Sequence, residues 1–265
     1  MKLTKVMKMM PKERREQILK QLNTNGKIDI EHLVSELNVS AMTIRRDLAY
    51  LEENNQIIRT HGGAILNKPL VIETSFRTKE GKFNDRKKMI AKKAVEFIQE
   101  HATILLDSGT TTLEIAKLLK DKKTITVVTN DIKIAAELTD TDVKVIVTGG
   151  ELQNNVGTLF GPLTELMLRN IHVDVFFLGA HAIDFKAGVT APTFEKASIK
   201  KLMIEASEKT WLVADSSKFD QKSLTKVCDL TQIHGLITDR GISEETEEKL
   251  NEYLDVVTVE GGEQE

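Results

Sequence analysis

The sequence contains a single cysteine, Cys228, among its 265 residues. One thiol excludes an internal disulfide framework, and such low cysteine use suits the reducing cytoplasm. The N-terminal stretch is basic, but it has no apolar run long enough for a signal peptide, and no segment approaches the length of a membrane span. We therefore expect a cytoplasmic protein without a membrane partner.

The chain also lacks a large net charge. Its formal charge of −3 argues against a uniformly basic protein that coats DNA. The charge is nevertheless segregated, because residues 1–93 hold 20 Lys and Arg against 11 Asp and Glu, whereas residues 94–265 hold 17 against 29. The N-terminal part suits a polyanion and the C-terminal part would repel one, although chance clustering on solvated faces remains the alternative until a motif supports it.

Two amphipathic helical patterns open the chain. Pro11 suits the first position of a helix that Asn25-Gly26 ends, and Asp29 is expected to cap the next helix. The apolar stripes expected to face a core are Ile18, Leu19 and Leu22 in the first pattern and Ile30, Leu33, Val34 and Leu37 in the second.

The segment N38-V-S40 predicts a tight turn into a third helix. Asn38 tolerates the left-handed conformation that ends a helix, and Ser40 is a good N-cap for the next one. A three-residue turn between two short amphipathic helices is the spacing of a helix-turn-helix. The third helix is expected to bury Ile44, Leu48 and Leu51 and to present Met42, Thr43, Arg45 and Arg46 on its other faces.

Two adjacent arginines near the start of that helix indicate DNA recognition. The N-terminal end of a recognition helix meets base edges in the major groove. We expect one of Arg45 and Arg46 to reach guanine O6 and N7 and the other to reach a phosphate, with the assignment left open. Asp47 either orients an arginine or neutralises charge at this end of the helix.

A short β ribbon follows the third helix. The runs QIIRT (56–60) and AIL (64–66) flank His61-Gly62-Gly63, which predicts a wing with glycines at its turn. Arg59 and His61 lie where a wing contacts the DNA backbone; the alternative is a winged helix used for protein contacts. The predicted DNA-binding residues are Ser40, Met42, Thr43, Arg45, Arg46, Arg59 and His61.

These motifs together resemble a known family. The run R14, I18 and L22, then S40-A-M-T-I-R-R-D-L, then R59-T-H-G-G-A, resembles the N-terminal signature of the DeoR family of bacterial transcriptional regulators. The resemblance covers residues 10–64 nearly without gaps. The usual glycine of the turn is Asn38 here, which the left-handed preference of asparagine makes tolerable.

Residues 67–84 are expected to form a connector, because they contain Pro69 and Gly81 and no sustained apolar face. A helix is predicted from Asn84 to about residue 100. Its inward face would consist of Ile90, Ala94, Phe97 and Ile98, and its other faces would carry Lys87, Lys88, Lys92 and Lys93. We expect these lysines to lie on a solvated face; the alternative is that they assist DNA binding.

Apolar runs then alternate with helical patterns. The runs are TILLD (103–107), TITVVT (124–129), VKVIVT (143–148), DVFFLGA (174–180), TWLVAD (210–215), HGLITD (234–239) and VVTVE (256–260). Helical patterns near 112–120, 131–139, 162–170, 193–208 and 243–252 separate most of them. This alternation predicts a mainly parallel α/β sheet covered on both faces, in which ligands bind beyond the carboxyl ends of the strands.

The strand-to-helix junction D107-S-G-T-T-T112 has the composition of an anion site. Gly109 allows a tight turn, and the hydroxyls beside the free N–H groups of the next helix favour phosphate; simple helix capping is the alternative. The loop is neither a Walker A nor a G-x-G-x-x-G motif, which disfavours a nucleotide. Polar or glycine-rich loops at Thr129-Asn130 and Gly149-Gly150 follow two further strands.

This second region resembles the same family. The segments DSGTTT, VVTN, VTGGEL, FLGAHAID and VADSSKF look like the sensor domain of DeoR regulators, which is similar in fold to ribose-5-phosphate isomerase. The resemblance covers roughly residues 75–258. It implies a phosphorylated sugar or polyol as effector, with Ser108, Gly109, Thr110 and Thr111 at its phosphate.

A sugar-phosphate isomerase with a DNA-binding appendage is the rival hypothesis. Aldose–ketose isomerisation needs a carboxylate to move a proton between adjacent carbons. Ungapped comparison with the isomerases puts Leu178, His181 and Lys200 where they carry carboxylates, which predicts a retained pocket without catalysis. Lys218, which matches a lysine near the isomerase site, is the expected cationic contact of the ligand, with a surface salt bridge as the alternative. Asp184 either accepts hydroxyl hydrogen bonds or is a turn residue, and His181 either binds the ligand or is a core histidine.

The sequence thus predicts a winged helix-turn-helix (1–66), a connector (67–84), an α/β sensor domain of the ribose-5-phosphate-isomerase kind (85–260) and a tail (261–265). We expect a homo-oligomer, dimer or tetramer, because helix-turn-helix proteins bind paired half-sites of an operator. No metal, cofactor or catalytic residue is predicted. The expected effector-binding residues are Asp107, Ser108, Gly109, Thr110, Thr111, Thr129, Asn130, Gly149, Gly150, His181, Asp184, Lys200 and Lys218.

Overall fold

The computed structural model describes residues 9–54, 56–66, 70 and 75–260, with the side chains of 23, 24 and 66 excepted. The predicted tail 261–265 and most of the first half of the predicted connector lie outside the described residues. The chain divides into two compact units, residues 1–69 and 70–265. In the described part of the chain, no helix is long and apolar enough to span a membrane.

The first unit combines three helices with a small antiparallel sheet. Along the chain it contains α1 (Pro11–Asn25), β1 (Lys27–Asp29), α2 (Ile30–Leu37), α3 (Ala41–Glu53), β2 (Ile57–Arg59) and β3 (Gly63–Leu66), with the strand order β1-β3-β2. Pro11 begins α1 and Gly26, at φ 79°, follows its end, as the sequence predicts. The strand β1 was not predicted, and the Asp29 side chain makes no capping hydrogen bond to α2.

The three helices of this unit bury a single apolar core. Its fully enclosed members are Ile18, Leu22, Leu33, Ile44, Leu48, Leu51 and Ile57. Burying each such side chain contributes roughly 1.5–3 kcal/mol, and no larger core supports this small unit. The predicted inward faces of the three helices are therefore confirmed.

Asp47 has a different role from the two that its neighbourhood suggests. Its carboxylate is buried and accepts a hydrogen bond from Arg14 Nε at 2.5 Å, while Arg15 Nε lies 3.5 Å away. Arg14 also donates to the carbonyl of Met9 at 3.2 Å. Asp47 therefore fastens α3 to α1 through a buried ion pair, and the arginines that it contacts, Arg14 and Arg15, both belong to α1.

The second unit alternates strands and helices. In chain order it contains α4 (Phe76–Glu80), α5 (Asn84–Ala94), β4 (Thr103–Leu106), α6 (Thr110–Leu118), β5 (Thr126–Thr129), α7 (Ile132–Glu137), β6 (Lys144–Val147), β7 (Glu151–Gln153), β8 (Thr158–Phe160), α8 (Pro162–Leu168), β9 (Val173–Gly179), β10 (Ala182–Asp184), β11 (Gly188–Ala191), α9 (Phe194–Glu205), β12 (Ser207–Val213), β13 (Thr225–Cys228), β14 (Gly235–Asp239), α10 (Glu244–Asn251) and β15 (Asp255–Val259).

Seven of these strands form one sheet in which every neighbouring pair is parallel. The order is β15-β14-β12-β9-β4-β5-β6. Side chains alternate between two apolar cores: Ile104 and Leu106 belong to one, and Leu105 belongs to the other. All seven apolar runs of the sequence are thus confirmed as strands of a parallel α/β sheet covered on both faces.

The direction of strand succession reverses between β4 and β9. From β4 the chain moves outward to β5 and β6, and then returns to the other side of β4 to form β9 and β12. Such a reversal leaves a crevice beyond the carboxyl ends of the two adjacent strands, where ligands of open α/β sheets bind. The fold therefore directs attention to the loops that follow β4 and β9.

Short antiparallel strands were not predicted. The hairpin β7–β8 and the sheet β10-β11-β13 consist of three- and four-residue strands, which are too short to show a recognisable period. In the sequence, β7 and β8 lie between β6 and β9, β10 and β11 lie between β9 and β12, and β13 lies between β12 and β14.

The segment before β4 also departs from expectation. Helix α4 lies inside the predicted connector and buries Phe76, and α5 ends at Ala94 before a 3-10 turn. Lys87 is buried rather than solvated, and its ammonium donates to the carbonyl of Lys79. Burial lowers the pKa of Lys87 to about 8, against the opposing attraction of nearby carboxylates such as Asp215.

The ion pair between α3 and α1 can be tested by Asp47→Asn. This change leaves the buried guanidinium of Arg14 without its counter-charge, and we expect the unfolding free energy of the first unit to fall by about 3 kcal/mol. Urea unfolding followed by circular dichroism measures it. Glu52→Gln is the matched control, because Glu52 faces Arg59 at 3.7 Å on the exposed surface and should cost under about 1 kcal/mol. Equal effects of the two changes would contradict a structural role for Asp47.

Candidate functional site

The turn before α3 positions the recognition helix. Asn38 adopts φ 49° and ψ 49°, the left-handed conformation expected from the sequence. Ser40 Oγ accepts a hydrogen bond from Thr43 N at 3.3 Å and lies 2.9 Å from Thr43 Oγ1. Both hydroxyls therefore hold the first turn of α3 in shape, which is the role that N-cap residues serve.

The exposed face of α3 presents the residues expected at DNA. Met42, Arg45 and Arg46 are exposed, whereas Ile44 and Leu48 on the opposite side are fully buried. The arginines lie in the N-terminal half of the helix, where a side chain reaches furthest into a major groove. The guanidinium of Arg15 in α1 lies 3.7 Å from the ring centroid of Tyr50, which is in the C-terminal half of α3.

The wing carries Arg59 and His61 on its exposed side. Glu52 holds Arg59 by accepting from its backbone N at 3.1 Å and by an ion pair at 3.7 Å. Gly63 is required by strand packing, since a Cβ atom there would lie 1.7 Å from the carbonyl oxygen of Ile28. The glycine pair of the sequence therefore serves the contact of β3 with β1 as well as the turn.

A cleft of about 170 Å³ opens beside the carboxyl ends of β4 and β5 in the second unit. The loops after these strands, the hairpin β7–β8 and the helix α9 with its N-cap surround it. Its lining residues are Asp107, Ser108, Asn130, Gln153, Thr158, Phe160, Thr193, Glu195, Lys196, Ile199 and Lys200. Asp107, Ser108, Asn130 and Lys200 of the predicted effector site thus come together here.

A buried ion pair forms the floor of this cleft. The ammonium of Lys200 donates to Asp107 Oδ2 and, at 2.8 Å, to the carbonyl of Gly179. Gly179 N donates to the same carboxylate oxygen at 3.1 Å. Three elements, β4, β9 and α9, are joined at this point, and the charge of Lys200 is compensated within the protein.

The D107-S-G-T-T-T112 loop wraps the start of α6. Gly109 is the residue before the helix, and Thr112 Oγ1 donates to the carbonyls of Asp107 at 2.6 Å and Gly109 at 3.0 Å. The first backbone N–H groups of any helix lack intrahelical acceptors, so the N–H groups of Thr110 and Thr111 form the anion-attracting end of α6.

Ser108 does not extend a free hydroxyl toward that helix end. Its Oγ donates to Asp131 Oδ2 at 2.7 Å and lies 2.6 Å from Thr158 Oγ1. Asp131 is buried and also caps α7 by accepting from Lys133 N at 2.7 Å. Burial raises the pKa of Asp131, and the hydrogen bond from Ser108 opposes that shift. The sequence T129-N-D131 before a helical pattern was the available signal for this cap.

Asn130 is fixed between β5 and the hairpin. Its Nδ2 donates to the carbonyl of Leu159 at 3.1 Å, and its own carbonyl accepts from Leu159 N at 2.7 Å. The side chain is 1% exposed, and its Oδ1 has no hydrogen-bond partner among the residues that the structure describes.

Several predicted effector residues do not line the cleft. Gly109, Thr110 and Thr111 lie at the start of α6, next to the lining residue Ser108 but outside the lining itself. Thr129 is buried and donates to the carbonyl of Leu106 at 2.9 Å. Gly149 and Gly150 have φ 71° and 112°, and a Cβ on Gly150 would lie 2.4 Å from the Phe160 carbonyl, so this pair shapes the loop before the hairpin. His181 and Lys218 are half-buried after β9 and β12, outside the lining of the cleft.

Asp184 is a turn residue. Its Oδ1 accepts from the backbone N of Lys186 at 2.9 Å and of Ala187 at 2.8 Å, between β10 and β11. It does not line the cleft, so of the two roles suggested by the sequence the structural one is observed.

The sequence missed the contributions of the hairpin and of the start of α9. Thr193 caps α9 by accepting from Lys196 N at 3.3 Å. Ile199 and Lys200 follow Lys196 by three and four positions, a spacing that places all three on one face of a helix and that could have been recognised. Gln153, Thr158 and Phe160 lie on strands too short to give such a signal. The described residues contain no group of three or more His, Cys, Asp or Glu arranged to hold a metal ion.

Family comparisons match both units. Residues 14–69 match the DeoR-like helix-turn-helix domain, and residues 82–240 match the DeoR C terminal sensor domain. Among solved structures, a ribose 5-phosphate isomerase A from Neisseria gonorrhoeae is similar to 50% of this chain and 52% of its own chain, at 24% identity and a TM-score of 0.37.

Similar proteins extend along nearly the whole chain. The HTH-type transcriptional regulator GlpR of Haloferax volcanii is 36% identical across 96% of this chain and 99% of its own length. The L-fucose operon activator of Haemophilus influenzae is 36% identical across 93% and 98%, and the lactose phosphotransferase system repressor of Staphylococcus epidermidis is 29% identical across 93% and 98%. The chain belongs to the DeoR family of transcriptional regulators.

Proposed function

We propose that the protein binds a DNA operator through α3 and the wing, represses a sugar or polyol catabolism operon, and is released by a phosphorylated sugar or polyol that binds in the cleft. The observation that supports this most directly is the pairing of an exposed arginine face in one unit with a cleft in the other, which is lined mostly by polar residues and opens beside the carboxyl ends of β4 and β5. Two of the similar regulators have names that refer to a sugar: one is an L-fucose operon activator and the other is a lactose phosphotransferase system repressor.

The cleft has the features that a phosphate ester requires. Next to the lining residue Ser108, the N-terminal end of α6 attracts an anion, and Gly109, Thr110 and Thr111 supply its backbone N–H groups. The polar groups of Asn130, Gln153 and Glu195 lie around the rest of the cleft, where they can bind the hydroxyls of a sugar. Ser108 contributes by holding Asp131 and the hairpin in position rather than by contacting the phosphate.

The same contacts disfavour an isomerase. The carboxylate of Asp107 is occupied by the ammonium of Lys200 and by Gly179 N, so it is held as an ion-pair acceptor. Glu195 is the other carboxylate of the lining, and it is exposed. A base that moves a proton between substrate carbons must lie within reach of them in a sheltered site, and neither carboxylate meets this condition. We infer that the protein is a sensor and not an enzyme.

Ligand binding can reach the DNA-binding unit through the start of the second unit. Ser223 Oγ donates to the carbonyl of Leu70 at 2.6 Å. Phe76 N donates to Asn155 O at 3.3 Å, in the loop of the hairpin that lines the cleft. Lys133 lies 4.3 Å from the centroid of the Phe76 ring and donates to Val156 O at 2.5 Å. A ligand that favours one position of the hairpin would thereby bias the segment leading to the DNA-binding unit.

The proposal as a whole is tested by operator binding. A DNA fragment from upstream of the protein's own gene is titrated with the full chain at fixed salt, and sugar and polyol phosphates are added beside their unphosphorylated parents. We expect one phosphate to release the DNA while its parent does not. Binding that no phosphate alters would contradict the sensor role, and conversion of a compound during incubation, followed by mass spectrometry, would restore the isomerase hypothesis.

Arg45→Ala and Arg46→Ala test the recognition helix. The base-contacting arginine should contribute about 1–3 kcal/mol, which is roughly 5- to 150-fold in operator affinity, with relaxed specificity at one base pair. Arg169→Ala is the control, since Arg169 is an exposed arginine of the second unit. Unchanged operator affinity in both variants of α3 would show that the assignment of the recognition helix is wrong.

Thr110→Val tests the start of α6 as the site that binds the phosphate group. The change removes a hydroxyl from the first turn of α6 and keeps the side-chain volume, so operator affinity should be unchanged while the concentration of phosphate ester needed for release rises roughly tenfold. Thr139→Val, at an exposed threonine after α7, is the control. If release by the phosphate ester were the same in both variants, Thr110 would not contact the effector.

A further inference from the structure

The side-chain oxygen of Asn130 is a buried acceptor without a partner. Asn130 is one of the residues that line the cleft, it is 1% exposed, and its Oδ1 finds no donor among the described residues. Buried side-chain acceptors are nearly always paired in folded proteins, and one left unpaired is costly. Such an atom at the wall of a binding cleft indicates that a group of the ligand is its partner.

The orientation of the amide is fixed by its surroundings. Nδ2 donates to the carbonyl of Leu159 at 3.1 Å, so rotating the amide by half a turn would set Oδ1 against that carbonyl, with two acceptors facing each other. The backbone of Asn130 is also held, because its carbonyl accepts from Leu159 N at 2.7 Å. The atom that needs a partner is therefore an acceptor, and the missing group is a donor.

A phosphate group does not supply that donor. Above the second pKa of a phosphate monoester, near 6, its oxygens carry no proton, and they would repel an amide oxygen. The anion-attracting feature beside the cleft is the start of α6, which follows β4 and Ser108, whereas Asn130 follows β5. A hydroxyl on the carbon skeleton of the ligand satisfies Oδ1, and it does so at a point distinct from the phosphate.

We propose that Asn130 determines specificity by accepting a hydrogen bond from one carbon-bound hydroxyl of the effector, so that the cleft selects polyhydroxylated phosphate esters and rejects the analogue that lacks this hydroxyl. This inference rests on the proposed function, and it adds the chemical group that the cleft recognises. A site built to bond a hydroxyl discriminates strongly against its absence, because the buried acceptor then stays unpaired in the complex.

Calorimetric titration of the full chain with matched ligand pairs tests the proposal. The probes are ribose 5-phosphate with 2-deoxyribose 5-phosphate, glucose 6-phosphate with its 2-, 3- and 4-deoxy analogues, and glycerol 3-phosphate with 3-hydroxypropyl phosphate; inorganic phosphate is the anion-only probe. For a parent ester that binds, we expect one deoxy partner to bind roughly 5- to 100-fold more weakly. In Asn130→Ala that preference should vanish, while the affinity for inorganic phosphate stays the same.

The outcomes separate this inference from the proposed function. If the protein binds a parent ester and all its deoxy partners with equal affinity, the role of Asn130 is overturned and the sensor function still stands. This arm uses the unmodified protein, so it holds even if Asn130→Ala does not fold. A preference that persists in Asn130→Ala, or in the smaller change Asn130→Ser, would also overturn it. If no phosphate ester of the panel binds, the proposed function and the inference fail together.

Discussion

The ion pair between Asp107 and Lys200 is the constraint on which the sensor cleft depends. It lies where the strand order reverses, and with Gly179 it joins the ends of β4 and β9 to the middle of α9. A buried pair of this kind contributes little net stability, but removing one partner leaves an uncompensated charge. The position of α9 over the sheet is thereby tied to the loop that precedes α6, and both segments contribute residues to the lining of the cleft.

The first unit uses the same device on a smaller scale. Asp47 and Arg14 link α3 to α1 beneath the helix face that carries Arg45 and Arg46. The exposed arginines of α3, Arg45 and Arg46, are thus different residues from the buried Arg14 of α1 that holds the unit together. The separation explains how a unit with so few core residues can expose several cations and still fix the helix that presents them.

Much of the fold could be predicted from the sequence, whereas the candidate site could be predicted only in part. The seven parallel strands and the helix-turn-helix follow from apolar periodicity and from caps such as Ser40, which are local signals. The loops after β4 and β5 were found because the carboxyl ends of parallel strands bind ligands. Thr158, Phe160 and Thr193 were missed, and Asp184 was included, because neither short strands nor turn geometry leaves a distinct pattern in one sequence.

The sequence by itself determined the three helices of the first unit and the seven parallel strands of the second, because these properties depend on residues a few positions apart. It also predicted the DNA-facing arginines of α3 and an anion site after β4. The tertiary structure alone decided which charged groups are paired and which are buried. Asp107 meets Lys200 across 93 positions, and Arg14 meets Asp47 across 33. Lys87 becomes a buried amine although its helical pattern places it on a solvated face. Burial and long-range pairing both depend on the packing of elements that are remote in the chain.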